Sequence, residues 1–318
     1  MSAAEGEAVS GKAAPAAAED RPPTANAAGG VRRALGRYAR GAPLATVAAL
    51  LLLAIALAAA LAPWLVLHDP YDLATFSILD ARVPPGTERL AGGIYPLGTD
   101  DQGRDLFSAI LYGLRISFTV AAVSGLVAAV IGTTLGLLAG FRGGWIDRVV
   151  MRVVDVQLSL PAILVALVLL AILGRAVENT ILALVTVQWV FFARTVRGSV
   201  LVEREKEYVA AGRLMGYSDA RLMFRHVLPN CAGPLSVVAT IEFAHAITLE
   251  ATLSFLGVGL PVTEPSLGRL VSNGFAYLLN GQWWISVLPG LALLLLVFSI
   301  NVVADRLRET IDPRRGFA

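Results

Sequence analysis

The sequence predicts an all-α, polytopic membrane protein with six transmembrane helices and both termini cytoplasmic. Three observations carry this. Of 318 residues, 56% are apolar and 16% charged, and mean hydropathy is +0.68, above the range of soluble domains. The apolar residues gather into six runs, most of them near the roughly 20 residues that cross a hydrocarbon core of about 30 Å as a helix. The arginines between the runs fall on alternate sides.

Residues 1–30 are rich in Ala, Pro, Gly and Glu without apolar periodicity, and are expected to be a disordered cytoplasmic tail. Gly41–Leu67 is uncharged and forms the first span, a retained anchor rather than a cleaved signal. Ile116–Phe141 is the second span and Val156–Gly174 the third. Asn179–Ala193 is short, but Arg194 and Arg197 beside it can snorkel to the interface. Cys231–Gly259 is the fifth, interrupted by Glu242, His245 and Glu250. Gln282–Ala304 is the sixth, with Trp283 and Trp284 as interface anchors. The chain thus divides into the tail, a first span with an outer loop (31–115), a five-helix core (116–304) and a cytoplasmic end (305–318).

Arg32, Arg33, Arg37 and Arg40 put the N-terminus inside. The Asp-rich stretch His68–Arg115 then lies outside, and Arg142, Arg148 and Arg152 inside. The charged segment from Arg194 to Arg225 and the closing Arg306, Arg308, Arg314 and Arg315 are also inside. Gly132, Gly136 and Gly140 form a small-residue face for close helix packing. Pro161 kinks the third span. Leu260–Gly281 is too apolar for a free loop and too short to span, so it reads as a re-entrant or interfacial segment.

The charged segment 198–230 has its own logic. From Val200 to Met215 only Gly212 interrupts helix-forming residues, and charges alternate through Glu203, Arg204, Glu205, Lys206 and Glu207. Gly216 suits the left-handed residue that ends a helix. Ser218 and Asp219 can cap a second helix, expected to run to Val227 and stop before Pro229. Ala210, Ala211 and Gly212 leave a small-residue patch that another surface can approach closely.

This segment resembles the cytoplasmic coupling loop of ATP-binding-cassette importer permeases, whose motif is Glu-Ala-Ala, three residues, Gly, nine residues, an aliphatic, any residue, Leu-Pro. Ala210-Ala211-Gly212, Gly216, His226 and Leu228-Pro229 keep that spacing. Ala210 stands where Glu is usual, Gly212 where Ala is usual and His226 where Ile is usual; Glu207, one turn earlier, can substitute for the missing acid. Leu97-Gly-Thr-Asp-Asp-Gln-Gly-Arg-Asp105, Leu111-Tyr-Gly-Leu-Arg-Ile-Ser117, Glu250-Ala-Thr-Leu-Ser-Phe-Leu-Gly257, Pro265-Ser-Leu-Gly268 and Arg308-Glu-Thr-Ile-Asp-Pro-Arg314 resemble the C-type subunit of the peptide/nickel branch. Leu267 replaces a common Trp. The resemblance implies an ABC type I importer permease fold in a bacterial cytoplasmic (inner) membrane. It implies as partners a second homologous permease subunit, two ATP-binding-cassette ATPase subunits and an extracytoplasmic substrate-binding protein. ATP and Mg would sit on the ATPases, with no cofactor on this chain. Dipeptides or oligopeptides are the first substrate choice; nickel, glutathione and sugars stay open.

Two polar groups remain as candidates. Glu242, His245 and Glu250 are costly at membrane depth and read either as the wall of a translocation path or as a structural pair at an interface. Asp100, Asp101, Arg104 and Asp105 read as a docking surface for the binding protein or as a solvated turn; Arg104 among the acids argues against metal. One cysteine, Cys231, excludes an intrachain disulfide, and three scattered histidines give no ligand pair. Gly6–Ala13 imitates a phosphate loop but lacks its Ser/Thr and its strand. No hydrolase or zinc-protease motif occurs, and the charge balance gives no case for nucleic acid. Competing classes are a stand-alone channel or secondary carrier, and a membrane-embedded enzyme.

Overall fold

The computed structural model describes residues 43–66, 78–89, 92–261 and 263–311. The expected tail, the imitation phosphate loop, the four arginines before the first span, and Arg314 and Arg315 lie outside these residues. Residue contacts separate Met1–Pro43 from Leu44–Ala318, and the second unit carries the fold.

Helix α1 (Pro43–Ala60) is the first span. A short hairpin comes next, β1 (Thr87–Glu88) antiparallel to β2 (Ile94–Tyr95). Helix α2 (Leu106–Arg142) has 37 residues, about 55 Å at the helical rise, and begins well before the expected Ile116. Asp105 caps it by accepting from Ser108 N, and its first turns bury Leu106, Ala109 and Ile110.

The expected third span Val156–Gly174 is not one helix. Helix α3 (Gly144–Leu158) and helix α4 (Ala162–Leu173) meet at 91° across Ser159–Pro161. Proline at that junction has no N–H to continue the helical ladder, so the chain turns instead of kinking. Helix α5 (Val177–Glu203) has 27 residues, longer at both ends than Asn179–Ala193. Helix α6 (Glu207–Leu214) comes after it, and helix α7 (Ala232–Phe255) is the fifth run. Helix α8 (Leu267–Phe275) lies within Leu260–Gly281, the segment expected to be re-entrant or interfacial, and helix α9 (Trp284–Ile311) closes the described chain with Pro289 inside it. Five of these helices are long and apolar enough to cross a membrane, or six if α3 and α4 form one broken span.

The packing is built on α2 and α5. A side-chain carbon at Gly132 would collide with Trp189 O, at Gly136 with Ala193 O, and at Gly140 with Val200 Cβ. The glycine face therefore lets the two backbones touch. Contacts advance in the same direction along both helices, so α2 and α5 run parallel. In a membrane, parallel neighbours need one crossing between them, which the α3–α4 pair supplies. Helix α8 is wedged the same way: a carbon on Gly268 would strike Ala251 O, and one on Gly274 would strike Ser286 N and Ile285.

Gly136→Ala is expected to lower the melting temperature of the detergent-solubilised protein, with an overpacking cost of about 1–3 kcal/mol. Gly125, on the same helix but with open space around an added carbon, is the control: Gly125→Ala should leave stability unchanged or slightly raised.

Candidate functional site

The segment after α5 forms a braced elbow. The expected single helix Val200–Met215 breaks at Arg204–Lys206 between α5 and α6. The cause is a polar knot that local pattern does not reveal. Glu203 is nearly buried and accepts from Lys206 Nζ at 2.6 Å and Tyr208 OH at 2.9 Å. Arg204 Nη1 donates to Gly140 O at 2.8 Å, tying the corner to the end of α2. Burial and the Glu203 carboxylate push the Tyr208 hydroxyl up to about 12. Arg197 binds Asp147 of α3 through two bonds of 2.5 and 2.7 Å.

Beyond α6 the predicted turn is present. Gly216 has φ +75, and Ser218 accepts from Arg221 N at 3.4 Å. The second helix does not stop at Val227. Residues 222–227 widen into a π-turn, and Leu228–Asn230 continues helically. Leu228 N bonds to Met223 O, five residues back, and the wider turn accommodates Pro229, which lacks a donor. His226, the departure from the aliphatic, stacks its ring on Tyr217 with centroids 5.6 Å apart. The Arg221 guanidinium lies 4.3 Å from the Tyr217 centroid.

Helix α6 has two faces. Val209 and Gly212 are buried, and a carbon on Gly212 would press on Leu222. Glu207, Ala210, Ala211 and Leu214 share the exposed face. Leu214 is 90% exposed, Met215 64% and Phe224 51%. Large apolar side chains on a braced element mark a surface made to be covered. Gly216 and Pro229 are also exposed, and Leu228 is half-buried.

The intramembrane polar residues part company. Glu242 is buried, with His245 Nδ1 3.5 Å from one carboxylate oxygen. Both line a cavity of about 410 Å³ between α4, α5 and α7, together with Gln188, a residue sequence reasoning missed. Glu250 does not line that cavity. It is fully buried, accepts from Ser117 Oγ at 2.9 Å and Ser254 Oγ at 2.8 Å, and so joins α2 to α7 as a packing contact.

The outer cluster is corrected by burial. Asp100, Arg104 and Asp105 are all at most 4% exposed. Arg104 Nε pairs with Asp100 Oδ2 at 2.6 Å, and Asp100 Oδ1 accepts from Gln102 N and Arg104 N, each at 2.9 Å. Three of the four residues are therefore an internal clasp at the start of α2, not a docking face. Only Asp101 keeps appreciable exposure. Burial, then the Asp100 charge, hold its carboxyl above the ordinary range. No group of three His, Cys, Asp or Glu able to hold a metal occurs among the described residues.

Known proteins share this geometry and sequence. Residues 132–316 match the family described as binding-protein-dependent transport system inner membrane component. The chain belongs to that family. It is 42% identical over 267 residues to a Brucella suis protein named for a peptide transport system permease, covering 83% of this chain and 86% of that one. It is 38% identical to the di/tripeptide transport system permease protein DppC of Pseudomonas aeruginosa, with 83% and 86% covered. It is 34% identical to the oligopeptide transport system permease protein OppC of Bacillus subtilis, with 86% and 87% covered. Among solved structures, an inward-facing MetNI methionine ABC transporter chain superposes with a TM-score of 0.52 at 24% identity, covering 64% of this chain and 96% of that one. That likeness concerns the fold, an ABC type I importer permease. This permease is thus a multi-pass membrane subunit of an ABC importer, and the elbow lies within the residues that match the family.

The clasp and the elbow each generate a measurable expectation. Asp100→Asn should destabilise the permease by about 3–5 kcal/mol, because it leaves a buried guanidinium unpaired; Asp101→Asn should stabilise it at neutral pH, since its charged form is the disfavoured one. Thermal melts of both variants check this. Tyr208 has a raised folded-state pKa, so its bond to Glu203 is fully present below the free-tyrosine value near 10 and is lost as pH rises through about 12. A spectrophotometric titration should show a late-ionising tyrosine phase whose amplitude Tyr208→Phe lowers by one tyrosine, while Tyr95, whose hydroxyl burial also pushes up, keeps its contribution.

Proposed function

We propose that this permease forms half of the translocation pathway of a peptide importer, for dipeptides or oligopeptides, in a bacterial cytoplasmic membrane. A second homologous permease subunit supplies the other half. Two ATPase subunits bind ATP and Mg and dock on the elbows, and an extracytoplasmic binding protein delivers the peptide. The chain itself is non-catalytic.

The observation that carries this reading is the exposed apolar face of the elbow on a rigid mount. ATP favours the closed ATPase pair, and any surface bound more tightly in that state moves with it. The braces at Glu203, Arg204 and Arg197 pass the displacement to α5, and through the glycine contacts to α2. The peptide substrate is supported by the names of relatives with more than four-fifths of their length matched. The path is supported by polar groups facing a cavity at membrane depth, where ionisable residues usually serve transport. Glu242 and His245 belong to it; Glu250 holds the subunit together beside it.

Leu214→Asp places a charge on the docking face at an exposed position. Gly216→Asp adds one where nothing crowds the added carbon but the left-handed backbone, φ +75, is strained for a side chain, so the melting temperature of Gly216→Asp is followed alongside. In the assembled importer, Leu214→Asp should reduce co-purification of the ATPase pair about tenfold or more, as loss of a buried apolar anchor commonly does. Gly216→Asp should uncouple ATP hydrolysis from peptide uptake in proteoliposomes. Normal uptake and normal co-purification in both variants would count against the elbow as the docking site.

A further inference from the structure

The cavity between α4, α5 and α7 is chemically biased. Its wall is apolar except for Gln188, Glu242, His245, Thr248 and Thr252. Both threonine hydroxyls donate to carbonyls of their own helix, at 3.0 and 2.7 Å, and offer no proton to the cavity. Gln188 is 2% exposed, and its Nε2 donates to Glu242 O at 2.7 Å. That bond orients the amide, because only its NH2 end can donate to a carbonyl. The amide oxygen Oε1 is left buried without a donor. Glu242 is 3% exposed, and His245 engages one carboxylate oxygen from 3.5 Å. No other side chain donates to that carboxylate among the described residues.

The cavity therefore holds more acceptors than donors. A buried acceptor without a donor is costly, and a buried carboxylate with one weak partner is more so. A cation rich in N–H groups removes both costs at once; a carboxylate entering the same space would be repelled. We propose that Gln188 Oε1 and the Glu242 carboxylate form a transit site for a primary ammonium group, as on the free N-terminus of a peptide. Leu184, Val187, Ala246 and Leu249 on the wall receive the adjoining apolar side chain. His245, largely exposed, holds the acid when no cargo is present and yields it when cargo arrives. The inference rests on the peptide reading above and adds which end of the peptide this subunit recognises.

The test uses the whole importer in proteoliposomes with saturating binding protein. Uptake of a dipeptide with a free N-terminus is compared with uptake of its N-acetylated form, in wild type, Glu242→Gln and Gln188→Leu. Melting temperature and binding-protein-stimulated ATP hydrolysis are followed in parallel. The ratio of free to acetylated uptake should fall about tenfold in Glu242→Gln, the scale of one lost charge-assisted hydrogen bond, and fall less in Gln188→Leu. Glu242→Asp should recover part of the ratio, and Glu242→Gln should melt no lower than wild type, since it removes a buried charge with one weak partner. Equal loss for both peptides, an unchanged ratio, or a loss that tracks melting temperature overturns the ammonium site and leaves the peptide reading standing. A wild-type importer that carries neither peptide overturns the peptide reading instead, and the ammonium site with it.

Discussion

Direct backbone contact between α2 and α5 is the constraint on which the rest of the structure depends. In a bilayer the lipid tails are as apolar as the side chains, so helices gain little by burying leucine against leucine. They gain by close packing, and three glycines one turn apart allow it. At each level, Gly132, Gly136 and Gly140 admit a backbone or β-carbon of α5 where any side chain would collide. A contact this close leaves few alternative registers. It makes α2 and α5 one rigid unit, and the elbow leaves from the end of that unit.

Polar interactions concentrate where the rigid unit meets its neighbours. At the elbow, Arg204 reaches Gly140 O and Arg197 reaches Asp147, so the corner, α2 and α3 are linked beside the glycine contact. Glu203, Lys206 and Tyr208 stiffen the turn itself. At the opposite end, the Asp100–Arg104 clasp anchors the start of α2, and Trp284 Nε1 donates to Thr99 O at 3.3 Å to bring the start of α9 alongside. Between the two ends, Glu250 and its serines hold α2 against α7. Displacement applied at the elbow therefore meets few soft joints before the helices that line the polar cavity. The break at Ser159–Pro161 is one joint that stays free of the glycine contact.

Much of this architecture is legible in the chain, and the misreadings have a common cause. The apolar runs and the alternation of arginines yield the spans, and the glycine face is visible from spacing alone. Gly216 and Ser218 announce their turn because their roles are local. What escapes depends on partners distant in sequence. The short fourth run becomes a 27-residue helix because charged residues at its end find Asp147 and Gly140. The continuous helix through the charged segment breaks because Glu203 turns back to Tyr208. The outer acids look like a docking face, yet three of the four residues are buried around Arg104. Gln188 carries no signal at all; an isolated glutamine in an apolar run becomes informative only once Glu242 stands opposite.

Whether the elbow is the surface through which ATP-driven motion enters can be measured by disulfide cross-linking in the assembled importer. Leu214→Cys should cross-link to a cysteine introduced on the ATPase surface that receives the elbow, with a yield that changes when ATP closes the pair. Leu126→Cys, 68% exposed on the mid-span face of α2, should form no such link. A link at Leu126 with none at Leu214, or a Leu214 link indifferent to nucleotide, would contradict the elbow as the route by which the motor drives these helices.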